Sequence, residues 1–380
     1  MTISDLTPTA KLLRQLVRIP SVNPHGNPGV ANPGERACAE FVGKFLRRAG
    51  ADVELQEVRP GRPNVIGVFK PKAPVKRRLL LAPHTDTVSV AGMTVDPFVA
   101  TVSGGKLHGR GASDTKGPMA AMLQALREFT VSGAFKNGGL EITFAGLMSE
   151  EAYNHGAFAW AEKCPRYDLA IIGEPTQWQI VHAHKGCAWL AFTTKGRAVH
   201  ASTPADGENA IYAMTPLLAY VEKKLMKKLA KFSHPQLGAT SIAATTISGG
   251  AKDNIIPDTC EMHADLRYTP DLTVSAVLAL IRADLKKLRI PAIVSVNSDN
   301  HPLHTAADHE LIQKIRPHTN GLATAPWFCD AAIFGAHGIP AVALGPGSIA
   351  QAHTADEFIK LGDLEKGREG YLKILRALLP

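Results

Sequence analysis

Short apolar runs, each closed by a polar turn and separated by helical patterns, constrain this chain more than any other feature. Leu79 to Ala82, Leu140 to Met148, Leu169 to Gly173 and Pro340 to Leu344 have the length and composition of buried strands. Helical spacing lies among them over Met119 to Phe129, which opens after Gly117-Pro118, and over Gly156 to Lys163. Upstream, Leu6 to Leu16 and Glu35 to Ala49 read as helices, the second ended by Gly50. Pro20 to Pro33 is rich in proline and glycine and reads as a loop, and Val53 to Val58 and Asn64 to Phe69 read as strands. Buried strands alternating with helices imply an α/β fold with a mostly parallel sheet. In such folds ligands collect beyond the carboxyl ends of the strands.

The texture changes after Gln177. Val181 to Thr194, Ser241 to Ser248 and Thr259 to Tyr268 are longer strands with alternating polarity, with helices over Ala210 to Leu229 and Thr273 to Leu288. Two helices against an antiparallel sheet make an α+β unit of about a hundred residues, large enough to fold as a domain. The α/β character returns beyond Ile293 and ends in a helix from Asp363 to Leu379. The expected organisation is a larger α/β domain over residues 1–180 and 294–380, with an inserted α+β domain over residues 181–293. A chain of 380 residues is long enough for both.

Composition removes several classes of function. The formal net charge of +8 is spread over short clusters such as Lys76-Arg77-Arg78 and Lys223-Lys224 with Lys227-Lys228. No aromatic interleaving accompanies them, so they read as solvated faces and no nucleic-acid partner is expected. Five scattered cysteines without a Cys-x-x-Cys spacing argue against a disulfide framework or a structural zinc knot. Met1 to Lys11 lacks the apolar core of a signal peptide, and no apolar run approaches the ~18 residues of a membrane span. A cytoplasmic, soluble protein is expected, with no membrane partner.

The chemistry-bearing residues fall at the ends of the apolar runs. His84 and Asp86 follow Leu79–Ala82 in His84-Thr85-Asp86, where alternate residues point the same way and a carboxylate can fix an imidazole's tautomer. Asp114 sits in Gly109-Arg110-Gly111-Ala112-Ser113-Asp114-Thr115-Lys116-Gly117, either approaching a ligand or capping the helix that follows. Glu150 and Glu151 follow Leu140–Met148, either facing two sides of a site or opening a helix. Glu174 lies between a glycine and a proline, and His353 follows the loop Gly345-Pro346-Gly347-Ser348. Imidazoles mixed with carboxylates, without thiolate, are the donor set of a catalytic rather than a structural zinc site. Two zinc ions would bring four positive charges against three from Asp114, Glu151 and Glu174. Such a site polarises a carbonyl and lowers the pKa of a water toward ~7.

In order and spacing, His84-Thr-Asp86, Gly-Arg-Gly-Ala-Ser-Asp114-Thr-Lys-Gly, Glu150-Glu151, Gly-Glu174-Pro-Thr and His353 resemble the dinuclear zinc aminoacylase and carboxypeptidase family. That family includes acetylornithine deacetylases, succinyl-diaminopimelate desuccinylases and glutamate carboxypeptidases, and the match runs from about His84 to Glu357. The resemblance implies two Zn2+ (Co2+ is an alternative), with Asp114 bridging them, His84 and Glu174 completing one site and Glu151 and His353 the other. It makes Glu150 the general base and Asp86 the residue that orients His84.

In the inserted domain, Gly196-Arg197-Ala198-Val199-His200-Ala201-Ser202 matches a family segment whose histidine helps hold the oxyanion, often across a dimer. Asn254 and Arg267 match segments that contact substrate; a guanidinium can clamp a carboxylate with two hydrogen bonds, or pair with Asp265 at the surface. The loop Leu344 to His353 looks most like the acetylornithine deacetylase branch. Ser149, where an acidic residue is more usual, and Phe328-Cys329-Asp330 depart from the pattern; Cys329 is expected to be a buried structural cysteine. The expected protein is therefore a homodimeric amidohydrolase deacylating a small N-acyl amino acid. N-acetylornithine is the foremost substrate, with a desuccinylase and a metallo-dipeptidase or carboxypeptidase as the rivals. The resemblance makes residues 1–180 and 294–380 the catalytic, zinc-binding domain and the inserted domain a lid or dimerisation domain.

Overall fold

The computed structural model describes residues 5–25 and 34–380; the part of the expected loop over residues 26–33 lies outside them. In chain order its main strands are β1 (Asp52–Arg59), β2 (Arg62–Phe69), β3 (Arg77–Ala82), β4 (Leu140–Gly146), β5 (Leu169–Ile172), β6 (Gly186–Lys195), β7 (Ser241–Gly249), β8 (Thr259–Tyr268), β9 (Ala292–Asn300) and β10 (Ala341–Ala343). The longer helices are α1 (Pro8–Val17), α2 (Glu35–Arg48), α3 (Lys116–Thr130), α4 (Ala210–Tyr220), α5 (Val274–Leu288) and α6 (Leu361–Ala377). The chain divides into two compact units. One comprises the residues up to His182 with Thr305–Ala323 and Cys329–Pro380; the other comprises Ala183–His304 with Thr324–Phe328.

The first unit is built on a sheet in which β1, β2, β4, β3, β5 and β10 follow one another. β3 pairs in parallel with β4 and β5, and β10 with β5, whereas β1 and β2 join antiparallel at the edge. The central strands therefore end on the same side. Leu79 and Leu81 of β3 pack with Leu12, Leu13 and Leu16 of α1 and with Met119, Met122 and Leu126 of α3 in one buried cluster. Each such side chain contributes about 1.5–3 kcal/mol through burial. Thr7 caps α1, its hydroxyl accepting the Ala10 amide at 3.1 Å, and Pro8 occupies the first turn. α3 can lie deep in this unit because its first turn is pared down: a Cβ on Gly117 would stand 2.5 Å from the Ala112 carbonyl oxygen.

In the second unit β7, β8, β6 and β9 form an antiparallel sheet. Cys260, Met262, Ala264, Leu266 and Tyr268 alternate inward along β8, against Met214 and Leu217 of α4 and Val277, Ile281 and Leu285 of α5. The helix from Ala210 runs on through a π turn at Val221–Leu225 to Leu229.

Two expectations are corrected here. The strand expected over Val181 to Thr194 is two strands, Ile180–His184 and β6, because the chain breaks at Lys185 before Gly186. A Cβ on Gly186 would stand 2.6 Å from the Tyr268 ring, so the backbone passes this point only without a side chain. The second unit also reaches beyond the expected boundary at residue 293, since β9 pairs antiparallel along β6 from Ala292 to Asn300. β9 has little inward periodicity, with Val294 its one buried residue, so no alternating pattern announced it.

Candidate metal centre

The carboxyl ends of β3, β4 and β5, with the loop after β10, deliver the predicted residues. Beyond β3 the parallel pairing continues past Ala82: the Leu147 amide donates to the Pro83 carbonyl at 3.0 Å and the Thr85 amide to the Leu147 carbonyl at 2.7 Å. His84 and the Glu150-Glu151 pair thus leave adjacent strand ends in fixed register. Glu174 follows β5, and a Cβ on Gly345, after β10, would stand 2.5 Å from its carbonyl oxygen. That closeness brings the loop leading to His353 over the same edge.

Asp114 lies between the two histidines. Its Oδ1 is 3.1 Å from His84 Nε2, and its Oδ2 is 3.4 Å from His353 Nε2. His353 Nε2 is also 3.1 Å from Glu151 Oε2. Donor atoms of His84, Asp114 and Glu151 all lie within 4.8 Å of one another, a spacing that can hold a metal ion. His84 Nδ1 faces the Asp86 backbone carbonyl at 2.9 Å, which fixes a proton on Nδ1 and leaves Nε2 directed at Asp114. His84 is buried, whereas the His353 side chain is 56% exposed, so the centre has a closed end and an open one.

The carboxylate of Asp86 does more than orient His84. It is 3.5 Å from His84 Nδ1, and its closer partners are Asn23 Nδ2 at 2.8 Å and the amides of Glu150 and Glu151 at 3.0 and 3.1 Å. Sequence reasoning anticipated the imidazole contact and missed the grip on the glutamate pair. It also missed the other groups that hold that loop. The buried Glu35, paired with Arg62, accepts the Ser149 amide at 3.1 Å; Asn64 accepts the Met148 amide at 2.9 Å; and Asn154 spans the Glu150 carbonyl and the Asp330 carboxylate at 3.1 and 3.0 Å. Their polarity at buried positions is the only signal the sequence carries, and it does not name their partners.

The alternatives left open by the sequence resolve. Asp114 does not cap α3, whose N-cap is Thr115 without a side-chain bond. Glu150 and Glu151 do not open a helix, since the next one spans His155–Ala161. Cys329 is buried, and burial pushes its thiol well above the usual range.

Electrostatically the cluster is overloaded with acids. Burial works against the Asp114 carboxylate, yet hydrogen bonds from His353 and His84 hold its carboxyl far below the usual range. Hydrogen bonds to Asp114 and Glu151 raise His353 to about 10. Burial, followed by the Asp114 charge, pushes Glu151 up to about 7. Burial, together with the charges of Glu174, Asp330 and Glu151, pushes Glu150 well up, with His84 opposing. Glu174 is driven the same way by burial and by Asp114, Asp330 and Glu151. Carboxylates crowded to this degree favour protonation unless a cation offsets them.

The residues present fit a metal. Glu151 Oε1 and Glu174 Oε1 are buried without a hydrogen-bond partner among the described residues, and the donors are oxygen and imidazole nitrogen, suited to zinc or another borderline divalent ion.

The candidates of the second unit are held differently. His200 and Asn254 are exposed neighbours: His200 bridges Ile255, and the Ala201 amide donates to the Asn254 carbonyl at 2.9 Å. His200 Nδ1 accepts the Ser202 amide at 3.2 Å, so the proton of the neutral ring sits on Nε2, available as a donor. Arg267 forms the ion pair that was the alternative reading, with Asp265 at 2.7 and 3.0 Å.

One buried imidazole, one exposed imidazole and a set of buried carboxylates, gathered at one edge of the parallel sheet, make a donor set that fits a catalytic metal ion. The chain belongs to the peptidase family M20/M25/M40, whose model matches residues 80–377. It is 32% identical over 94% of its length, and 94% of the relative's, to an acetylornithine deacetylase of Proteus mirabilis. Among solved structures, an M20 family metallo-carboxypeptidase from Sulfolobus solfataricus superposes with a TM-score of 0.79 at 17% identity, covering 98% of this chain and 99% of the other. A dinuclear metal binding peptidase of the same family from Bacillus subtilis superposes at 0.68 and 13% identity, covering 98% and 97%. The chain is a metal-dependent amidohydrolase with the mixed α/β fold of that family. Among the described residues no helix is long and apolar enough to cross a membrane.

Proposed function

We propose that this protein removes the acetyl group from the α-nitrogen of an N-acetyl amino acid, foremost N-acetylornithine, using two divalent ions, zinc or cobalt. The observation that carries the two-ion reading is Asp114, whose two oxygens face histidines from different segments beside two unpartnered glutamate oxygens. Asp114 would serve both ions, His84 and Glu174 one of them, and Glu151 and His353 the other. When bound, such ions polarise an amide carbonyl and make a water acidic enough to attack it.

The chain's own residues supply the remaining steps. The Glu150 carboxylate takes a proton from the attacking water and delivers it to the leaving amine nitrogen. Its backbone is held at both ends, by Asp86 at the amide and Asn154 at the carbonyl, so the side chain works from a fixed base. His200, with its proton on Nε2, donates to the developing oxyanion, and Asn254 and Arg267 bind the substrate beyond the scissile bond. The second unit forms a homodimer, and the protein works in the cytoplasm.

The substrate reading is supported by the named relatives at about 30% identity, and by the loop from Leu344 to His353. It is tested by comparing hydrolysis of N-acetylornithine, other N-acetyl amino acids, succinyl-diaminopimelate and dipeptides on protein loaded with zinc or cobalt. Highest kcat/KM on N-acetylornithine supports the proposal. Preference for the succinyl substrate or a dipeptide overturns the acetyl assignment and leaves the amidohydrolase class intact.

A further inference from the structure

Glu357 is fully buried, and none of the roles proposed above uses it. Four donors converge on its carboxylate. Oε1 accepts the amides of Ser113 at 2.8 Å and Asp114 at 3.0 Å; Oε2 accepts the Gly111 amide at 3.0 Å and Arg110 Nη1 at 2.9 Å. The Glu357 backbone carbonyl accepts the Gly109 amide at 3.0 Å as well. One residue therefore ties down the whole turn from Gly109 to Asp114.

A buried carboxylate costs several kcal/mol to desolvate unless it is paired and hydrogen-bonded. An apolar side chain here would leave the Gly111, Ser113 and Asp114 amides and the Arg110 guanidinium without the acceptor that the charge supplies. Its effect is positional: a concave array of backbone N–H groups closes around an anion and takes one shape. Glu357 also lies four residues after His353, on the segment that carries that imidazole. His353 itself is weakly held, being exposed and at φ +62°, with its Nε2 engaging Asp114 and Glu151. The Asp114-to-His353 spacing of 3.4 Å therefore depends on the ties between their two segments, of which Glu357 supplies five hydrogen bonds and Ser113 Oγ, accepting the Ser348 amide at 3.2 Å, another.

We infer that Glu357 is a positioning residue that fixes Asp114 relative to His353, and thereby sets the affinity of the metal position shared by Asp114, Glu151 and His353. This inference rests on the two-ion reading above. It predicts more than a stability effect. A residue that merely packed would lower the unfolding temperature of the metal-free protein and leave metal affinity of the folded protein unchanged.

The test uses the full chain as wild type, Glu357→Gln and Arg110→Met, titrated with Co2+ and with Zn2+ against a chromophoric chelator. Thermal unfolding of each metal-free protein is recorded alongside. Gln keeps the size of Glu but replaces one acceptor oxygen by a donor amide facing two other donors. Wild type is expected to bind two ions. Glu357→Gln should weaken the second by ~10–100-fold while the first shifts by no more than about threefold, and excess metal should restore turnover. Arg110→Met, which leaves the three amides in place, should weaken the second ion by about three- to tenfold. A folded Glu357→Gln that binds both ions with wild-type dissociation constants overturns the inference. If that variant does not fold, an unchanged second constant in Arg110→Met overturns it. Wild-type protein that binds fewer than two ions overturns the two-ion reading, and this inference with it.

Discussion

The two groups of candidate residues are built on opposite plans. In the first unit the candidate donors issue from strand ends or loops, and side chains from elsewhere pin the backbone of several: Asp86 on the glutamate pair, Glu357 on the Asp114 turn, and Asn64 and Glu35 on Met148 and Ser149 just before that pair. In the second unit His200 and Asn254 are exposed on short bridging segments, and Arg267 is engaged with its own neighbour. Metal donors must converge to within tenths of an ångström before any ligand arrives, so the fold invests buried polar bonds in them. The groups proposed to meet a substrate need no such preset geometry, and His200 and Asn254 stand exposed.

The contrast ranks the expected effects of mutation. Asp114→Asn should act most strongly, removing a carboxylate that faces both histidines; turnover should fall by ~10⁴-fold or more, with bound metal reduced in elemental analysis. Retention of two ions at wild-type affinity would remove Asp114 from the shared position. Glu150→Gln should lower kcat by ~10²–10⁴-fold with metal content unchanged, as loss of a general base without loss of a ligand requires. A rate within tenfold of wild type would assign that proton to another group.

Smaller effects should follow in the second unit. His200→Ala is expected to reduce kcat by ~10²-fold, the scale of one oxyanion donor, at normal metal stoichiometry. An effect as large as that of Asp114→Asn would break the contrast drawn here, because an exposed residue would then matter as much as a buried one. Arg267→Met should change KM by about tenfold or less, since breaking its ion pair also frees Asp265. A loss confined to kcat would show that the guanidinium acts on the transition state instead.

What the sequence made legible follows from what each feature depends on. The parallel sheet was readable because β3, β4, β5 and β10 are nearly unbroken apolar runs, and the candidate donors stood out because they follow those runs or, like Asp114 and His353, lie in glycine-bearing loops. β9 was not, because its outward residues mix Ile293, Ser295 and Asn297 without a clean period. The grip of Asp86 on two amides and the role of Glu357 were hidden for another reason. Backbone N–H groups carry no sequence signature, so a side chain whose partners are distant amides, 64 and 65 residues away for Asp86 and 243 and 244 for Glu357, leaves no pattern of its own. Arg267 shows the reverse case, in which the local and less specific partner, Asp265, is the one the structure displays.

The parallel order of β4, β3, β5 and β10 has a further consequence for how the protein is made. Each parallel pairing requires a crossover, and His353 follows β10, a strand that lies in the chain after the whole of the second unit's β6 to β9. During synthesis His84, Asp114 and Glu151 emerge long before His353 and Glu357 exist to complete the centre. On the two-ion proposal, the nascent chain therefore carries four of the five proposed ligands, His84, Asp114, Glu151 and Glu174, before the segment that bears the fifth. The geometry of that proposed centre is then completed only when the carboxyl-terminal segment docks and Glu357 closes on the Gly109-to-Asp114 turn.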